Sequence, residues 1–366
     1  MTGVIAFDLR RYRASGIGRY IRSVVPDLIE NLDARRVVVF GCAADLKQEI
    51  WAQDSRVEIR DYSAAPFGVR EQMSVLAGLY SRIELLWAPQ YSVPLLLRGK
   101  LVATIHDLCQ LAYPETLANN LQRMYARMLL NHVAKRASAI VCVSEFTAAE
   151  VRKYLKVEDS RIFVSYPGVD RYWLEPYGAA GESSEDAGPY MLAVGNLKAH
   201  KNFKSLIQSF SLLRDRIPHK LVIVGQARGF RNSDLEVAAM LSANDKRVQF
   251  TGEISDEELR RYYGKADGLI FPSYYEGFGY PLAEAMGQQC PVACSNAASL
   301  PEVADGAALL FDPFDIEDMT RAIERLATET ELRKTLTARG SKRIEELVNR
   351  SPGTELARVI NQVLRG

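Results

Sequence analysis

The 366-residue sequence has no excess of charge of one sign: 46 Lys and Arg stand against 45 Asp and Glu, a net charge of +1. A whole-chain electrostatic attraction to nucleic acid is therefore excluded. It has no apolar run of the roughly 18 residues a membrane-spanning helix needs. The longest apolar stretches are broken by Arg, Pro or Gly. The start, MTGVIAFDLRRYRASG, carries a short apolar run that reads as a first strand rather than a signal peptide. Cysteines are few, odd in number and scattered: Cys42, Cys109, Cys142, Cys290 and Cys294. That argues against a disulfide framework and for buried thiols in a cytosolic protein. Cys290-x3-Cys294 is not zinc spacing, and no D-x-D pair offers a metal site.

What is present is an ordinary globular composition, 48% apolar and 25% charged, at a length that suits two domains. Short apolar runs without helical period alternate with amphipathic segments, which predicts parallel sheets covered by helices. Residues 1–174 read as one such domain and 190–345 as another, with a helical tail over 346–366. Between them, residues 175–189 (EPYGAAGESSEDAGP) are small, polar and acidic, the composition of a linker. The segment 63–83 reads as an amphipathic helix beside an apolar stretch. Over Leu121 to Ala137 the period puts Met124, Tyr125, Met128, Leu129 and Val133 on one face, with Arg123, Arg127, Lys135 and Arg136 on the other. That basic face is either simply solvated or a contact for anionic lipid headgroups.

The stretch from Gly268 to Asn296 organises the chain. A buried strand, Gly268 to Phe271, ends at Pro272-Ser273. The loop Glu276-Gly277-Phe278-Gly279 follows, in which two glycines let backbone N–H groups approach a ligand. Pro281 then suits a helix start, and such a start after a parallel strand is an anion site. Glu276 and Glu284 lie eight positions apart, one in the loop and one about a turn into the helix. The plainer reading makes both solvated surface residues.

E-G-F-G-x-P-x-x-E resembles the E-x7-E signature of retaining glycosyltransferases of family 4, which have the GT-B fold. The resemblance implies two Rossmann-like domains facing a central cleft, with the last helix crossing back to the first domain. It makes Glu284 a ligand of the donor's ribose. Glu276, Gly277, Phe278 and Gly279 then face the donor sugar and phosphates.

Other positions extend the likeness. Ser15-Gly16-Ile17-Gly18-Arg19-Tyr20 follows the first strand. It lacks the third Gly of a dinucleotide fingerprint, so alone it is equally a tight turn needing Gly for packing. In the family, a loop matching Gly16 and Gly18 contacts donor phosphate or acceptor. His106-Asp107 ends another strand; a His there can donate to a sugar hydroxyl and an Asp can orient it. In T-I-H-D-L followed by Tyr113-Pro114-Glu115, which resembles family 4 mannosyltransferases, His106 corresponds to a contact near the anomeric carbon. Lys201, after Asn196-Leu197-Lys198, matches a diphosphate-neutralising Lys. Asn196 departs from the Arg many members carry, so either Lys198 substitutes or phosphate neutralisation leans on Lys201 and the helix N-terminus, with Arg228 as another candidate cation. Backbone near Phe250 would edge the base. The resemblance thus implies a retaining hexosyltransferase with catalytic Glu276, His106 and Lys201. The donor it suggests is GDP-mannose, with UDP-hexose as the alternative and a non-catalytic nucleotide-sugar-binding protein as the other class. No metal or other cofactor is expected. The expected partners are a nucleotide sugar and a lipid-linked or growing surface glycan, with no nucleic acid. The expected location is cytoplasmic, with peripheral contact at the inner face of the membrane left open.

Overall fold

The computed structural model describes residues 4–14, 16–33, 36–65, 68–76, 83–117, 119–177, 188–225 and 246–366. The chain forms two compact units, residues 1–170 with 350–366, and residues 171–349.

The first unit is built on a seven-stranded parallel sheet of order β3-β2-β1-β4-β5-β6-β7. Its strands are β1 (Val4–Asp8), β2 (Val37–Gly41), β3 (Val57–Asp61), β4 (Ile83–Ala88), β5 (Lys100–Ile105), β6 (Ala139–Cys142) and β7 (Ile162–Val164). The central strands are apolar throughout because helices cover both faces; all five residues of β2 are buried. Helix Gly16–Glu30 turns Tyr20, Ile21, Val24, Val25, Leu28 and Ile29 inward. At its start a Cβ on Gly18 would lie 2.5 Å from the Tyr12 carbonyl oxygen, so only glycine fits there. Trp87 and Tyr20 both reach the buried hydroxyl of Thr104, at 3.2 Å each.

The chain's last helix, Pro352–Arg365, belongs to this first unit and packs against Gly16–Glu30. Its Gly353 permits the close approach: a Cβ there would stand 2.3 Å from the Val24 carbonyl oxygen. Leu356, Ala357 and Ile360 are buried, and Ser165 donates to Glu355 at 2.7 Å.

The second unit has a six-stranded parallel sheet of order β10-β9-β8-β11-β12-β13. The strands are β8 (Tyr190–Val194), β9 (Lys220–Val224), β10 (Val248–Gly252), β11 (Gly268–Phe271), β12 (Val292–Ser295) and β13 (Ala308–Phe311). Helix Asp256–Lys265 starts with a capping box, Ser255 and Glu258 exchanging hydrogen bonds. Ser144 likewise caps Glu145–Leu155 by accepting from the Thr147 amide.

Two sequence readings are revised. Residues 171–177, read as the end of the first domain and the start of the linker, are bound into the second unit. Gln288 donates to the carbonyls of Trp173 at 2.7 Å and Glu175 at 2.9 Å, and accepts from the Tyr177 amide at 2.9 Å. Most of the linker assignment, 178–187, lies outside the described residues. In the segment 63–83, the described residues include a helix at Val69–Leu76, in keeping with the helix read there; residues 66–67 and 77–82 lie outside the described residues. Helix Asn120–Arg136 buries Ala126, Leu129, Leu130, Val133 and Ala134, whereas Met124 and Met128 are exposed. The two alanines let the helix lie close on the sheet, which rotates its buried stripe away from the methionines. Among the described residues no helix is long and apolar enough to cross a membrane.

Candidate functional site

In the second unit β8 and β11 are neighbours, and the strand order runs outward from them in opposite directions. Ligands of open α/β sheets bind beyond the carboxyl ends of the strands at such a reversal. The loops leaving these two strands carry most of the residues singled out from sequence. After β8 come Asn196, Lys198 and Lys201; after β11 comes the run Glu276–Gly279. The loops are tied together, the Tyr274 amide donating to the His200 carbonyl at 3.0 Å.

The structure brings Lys201 and Glu276 into direct contact, Nζ to Oε1 at 2.5 Å. Their side chains keep 16% and 14% of their surface, so the pair is recessed but reachable. Burial pushes the Glu276 carboxyl upward, but the Lys201 charge, the nearby His200 and the Lys201 hydrogen bond outweigh it and hold the group below its ordinary value. Glu276 is therefore ionised at neutral pH. It can accept hydrogen bonds from hydroxyls but cannot protonate a leaving group. Lys201 also stands 5.4 Å from the centre of the Phe271 ring, which steadies the ammonium without consuming its hydrogens.

The loop beyond Glu276 is fixed by its surroundings. Ser299 donates to the Glu276 carbonyl at 3.0 Å. Gly279, at φ +90°, forms the N-cap of helix Tyr280–Gly287, and a Cβ there would meet Leu300 at 2.7 Å. Gly277 and Phe278 are buried, Phe278 edge-on to Tyr280. The amides of the helix's first turn and its dipole favour negative charge beside Lys201 and Glu276.

Other expected members are placed differently. Glu284 has no exposed surface: it is enclosed in the second unit and accepts from the equally buried Tyr263 hydroxyl at 3.1 Å. The surface-residue reading is thus excluded, and direct ribose contact would require this carboxylate to be uncovered. Lys198 is exposed in solvent, and the carbonyl of Asn196 accepts from the Lys198 amide at 2.8 Å. The Phe250 ring packs against the core of the second unit. Arg228 lies outside the described residues.

In the first unit, His106 Nε2 is 2.9 Å from the Pro89 carbonyl, and its ring meets Tyr20 edge-on at 4.9 Å. Burial lowers its pKa to about 4, against a small upward pull from the Pro89 bond. His106 is neutral at pH 7. Its Nε2–H donates to Pro89, so Nδ1 is the acceptor. This corrects the expectation that it donates to a sugar hydroxyl. Asp107 does not orient it; the Asp107 carboxylate accepts from the Cys109 amide at 2.9 Å. Gly16 and Gly18 also part company. Gly18 is a packing requirement, but a Cβ on Gly16 would meet nothing within 4 Å.

Sequence reasoning missed Tyr263, Ser299 and His200, which act from other elements on Glu284 and Glu276. It also gave no role to Arg10. Arg10 is a buried ion-pair centre, binding Asp8 at 2.6 Å, Glu71, and the Ala64 carbonyl at 2.9 Å.

Comparison with known proteins agrees along nearly the whole chain. Residues 180–343 match the family model for glycosyl transferases group 1, and residues 14–172 match that for glycosyltransferase family 4. The chain is 26% identical to O-antigen chain mannosyltransferase B of Escherichia coli, over 92% of this chain and 93% of the relative. A sucrose-phosphate synthase from Thermosynechococcus elongatus superposes with a TM-score of 0.76 at 19% identity, covering 99% of each chain. Anabaena HepE in complex with UDP and glucose superposes at 0.73 with 18% identity, over 98% of this chain and 100% of that one.

Proposed function

The chain belongs to the glycosyl transferases of group 1 and family 4, with the GT-B fold, and from that premise we propose that it transfers mannose from GDP-mannose to a glycan acceptor with retention of configuration. The observation that carries the reading is the Lys201–Glu276 pair at the carboxyl ends of β8 and β11, beside the glycine-capped start of helix Tyr280–Gly287. Departure of a nucleoside diphosphate leaves positive charge at the anomeric carbon and negative charge on the phosphates. A fixed cation and helix amides stabilise the second. On binding, Lys201 turns toward the diphosphate and the ionised Glu276 accepts from sugar hydroxyls. The motif assigns Glu284 to the ribose, which requires it to leave or share its bond to Tyr263. His106, neutral, offers Nδ1 as an acceptor to a hydroxyl. The acceptor's proton passes to the leaving phosphate, so no protein acid and no metal is needed.

The choice of mannose is supported by the O-antigen chain mannosyltransferase of E. coli, which is similar over almost its full length. HepE, whose structure holds UDP and glucose, keeps a UDP-hexose donor as the second reading. The test is a thermal-shift series with GDP-mannose, UDP-glucose and UDP-galactose, since a ligand of the folded state raises the melting temperature. A rise with GDP-mannose that Lys201→Ala removes is the expected result. A rise with UDP-sugars alone would move the donor assignment to the second reading. A rise without any turnover would favour a non-catalytic nucleotide-sugar-binding protein, and no rise with any donor would overturn both readings. Transfer measured with and without EDTA should give equal rates; loss on chelation would overturn the metal-free mechanism.

A further inference from the structure

Phe314, three residues after β13, is the most exposed large apolar side chain among the described residues of the second unit, with 69% of its surface in solvent. A single apolar side chain on a surface needs no explanation. This one is paired and held. Its ring lies over that of the half-buried Tyr274, centroids 5.5 Å apart and planes tilted by 33°. The Phe314 amide donates to Asp312 at 2.9 Å, and the Asn202 side chain donates to the Pro313 carbonyl at 2.7 Å. Asp315 caps helix Ile316–Thr328 by accepting from the Glu317 and Asp318 amides. On the other side, the Tyr274 amide is tied to the His200 carbonyl. The loops that follow β8, β11 and β13 thus converge on the two rings. Asn202 adjoins Lys201 in the chain, and Tyr274 stands two residues before Glu276, so the pair belongs to the rim of the Lys201–Glu276 site.

The size and charge of this surface select its occupant. One exposed ring and a half-buried neighbour fall far short of the roughly 800 Å² a side of a stable protein interface. The stretch around Phe314 carries Asp312, Asp315, Glu317 and Asp318 and no Lys or Arg, so an anionic lipid surface would be repelled. A pyranose ring suits both features. The C–H groups on one of its faces meet the electron-rich face of an aromatic ring. The hydroxyls at its edge donate to carboxylates such as those beside Phe314. Because the rings are already fixed by their backbone bonds, little freedom is lost when a sugar settles on them.

We propose that Phe314 and Tyr274 form a glycan-binding subsite, apart from the reacting centre, on which a pyranose ring of the acceptor glycan stacks. It rests on the transferase reading for its purpose, since a glycan held here lies at the rim of the Lys201–Glu276 site; the contact itself needs neither donor nor turnover.

The test is native affinity electrophoresis of the whole chain in gels containing α-mannan, dextran or galactan, against a gel with no polysaccharide, no nucleotide sugar being present. The expected result is retardation by at least one polysaccharide. Phe314→Ala should weaken that retention by about tenfold, whereas Phe314→Tyr and Phe314→Trp, which keep an aromatic face, should stay within about twofold of the wild type. The urea midpoint of Phe314→Ala should match that of the wild type, because the ring already lies mostly in solvent. Retardation by no polysaccharide, or retardation undiminished in Phe314→Ala, would overturn the proposal. So would a loss that neither aromatic variant restores, which would make the side chain a structural one. Retardation with no turnover of any donor would leave the subsite standing and count against the transferase reading. Turnover without retardation would strike the subsite alone.

Discussion

Lys201 and Glu276 compensate each other, so their removal should not be symmetrical. Lys201→Ala leaves a recessed carboxylate without its cation, repelling the diphosphate that the helix start attracts. Transfer should fall about 10²- to 10³-fold, the usual cost of losing a group that stabilises developing charge. Glu276→Gln keeps the shape and frees the ammonium, so donor affinity should hold or rise while the turnover number falls. Steady-state kinetics separates the two, and equal losses in KM alone would remove the assignment. Gly16 and Gly18 make a second contrast. Gly18→Ala forces a Cβ to 2.5 Å from a carbonyl oxygen and should cost about 1–3 kcal/mol in urea melts. Gly16→Ala meets no atom and should leave the melt unchanged, so a change in KM there would mark a ligand approaching that backbone. Titration of His106 has a definite sign. Its folded pKa of about 4 lies below the ordinary 6.5, so its contribution is present above about 6.5 and is lost as pH falls toward 4. The midpoint of urea unfolding should drop more between pH 7 and pH 5 in the wild type than in His106→Asn.

At the scale of strands, helices and loops, the close approach of β8 and β9 depends on glycine. A Cβ on Gly225, at φ +157°, would lie 1.9 Å from the Gly195 carbonyl oxygen. Gly225→Ala must part the carboxyl ends of two adjacent strands, directly below the loop that carries Lys201. A loss of about 3 kcal/mol in urea melts is expected, with donor affinity falling alongside. Elements of this kind were legible in the sequence wherever the signal is local. The apolar runs marked the strands, and the glycines and Pro281 marked the loop and helix after β11. Information spread over distant positions was not legible. Lys201 and Glu276 are 75 residues apart, and nothing between them says that they touch. Tyr263, 21 residues before Glu284, takes the carboxylate that spacing alone would turn outward. In helix Asn120–Arg136 the pattern itself misleads, because methionine and leucine fill two stripes and only the sheet decides which is covered. The two alanines, poor hydrophobic signals, mark the buried one.

The two units differ in how the chain builds them, and that difference is testable on the whole molecule. The second is one continuous segment, residues 171–349, whereas the first needs the last seventeen residues brought back to it. Helix Pro352–Arg365 buries Leu356, Val359 and Ile360 against the first unit, including the face of Gly16–Glu30. At about 1.5–3 kcal/mol for each buried aliphatic side chain, their loss amounts to roughly 5–9 kcal/mol. That is comparable with the entire stability of about 5–15 kcal/mol expected of a domain. Ending the chain after Asn349 should therefore unfold the first unit and spare the second. By calorimetry the truncated protein should keep one transition and lose the other. Residues 171–349 expressed alone should fold, because their sheet, core and the Lys201–Glu276 pair are all internal to the segment. If the nucleotide sugar is held mainly by that pair and the helix start at Tyr280, the fragment should still bind it, though without transfer. A truncated chain that keeps both transitions would show that the returning helix is an accessory to the first unit. A folded fragment blind to every nucleotide sugar would place the principal donor contacts on the first unit's Gly16 and His106.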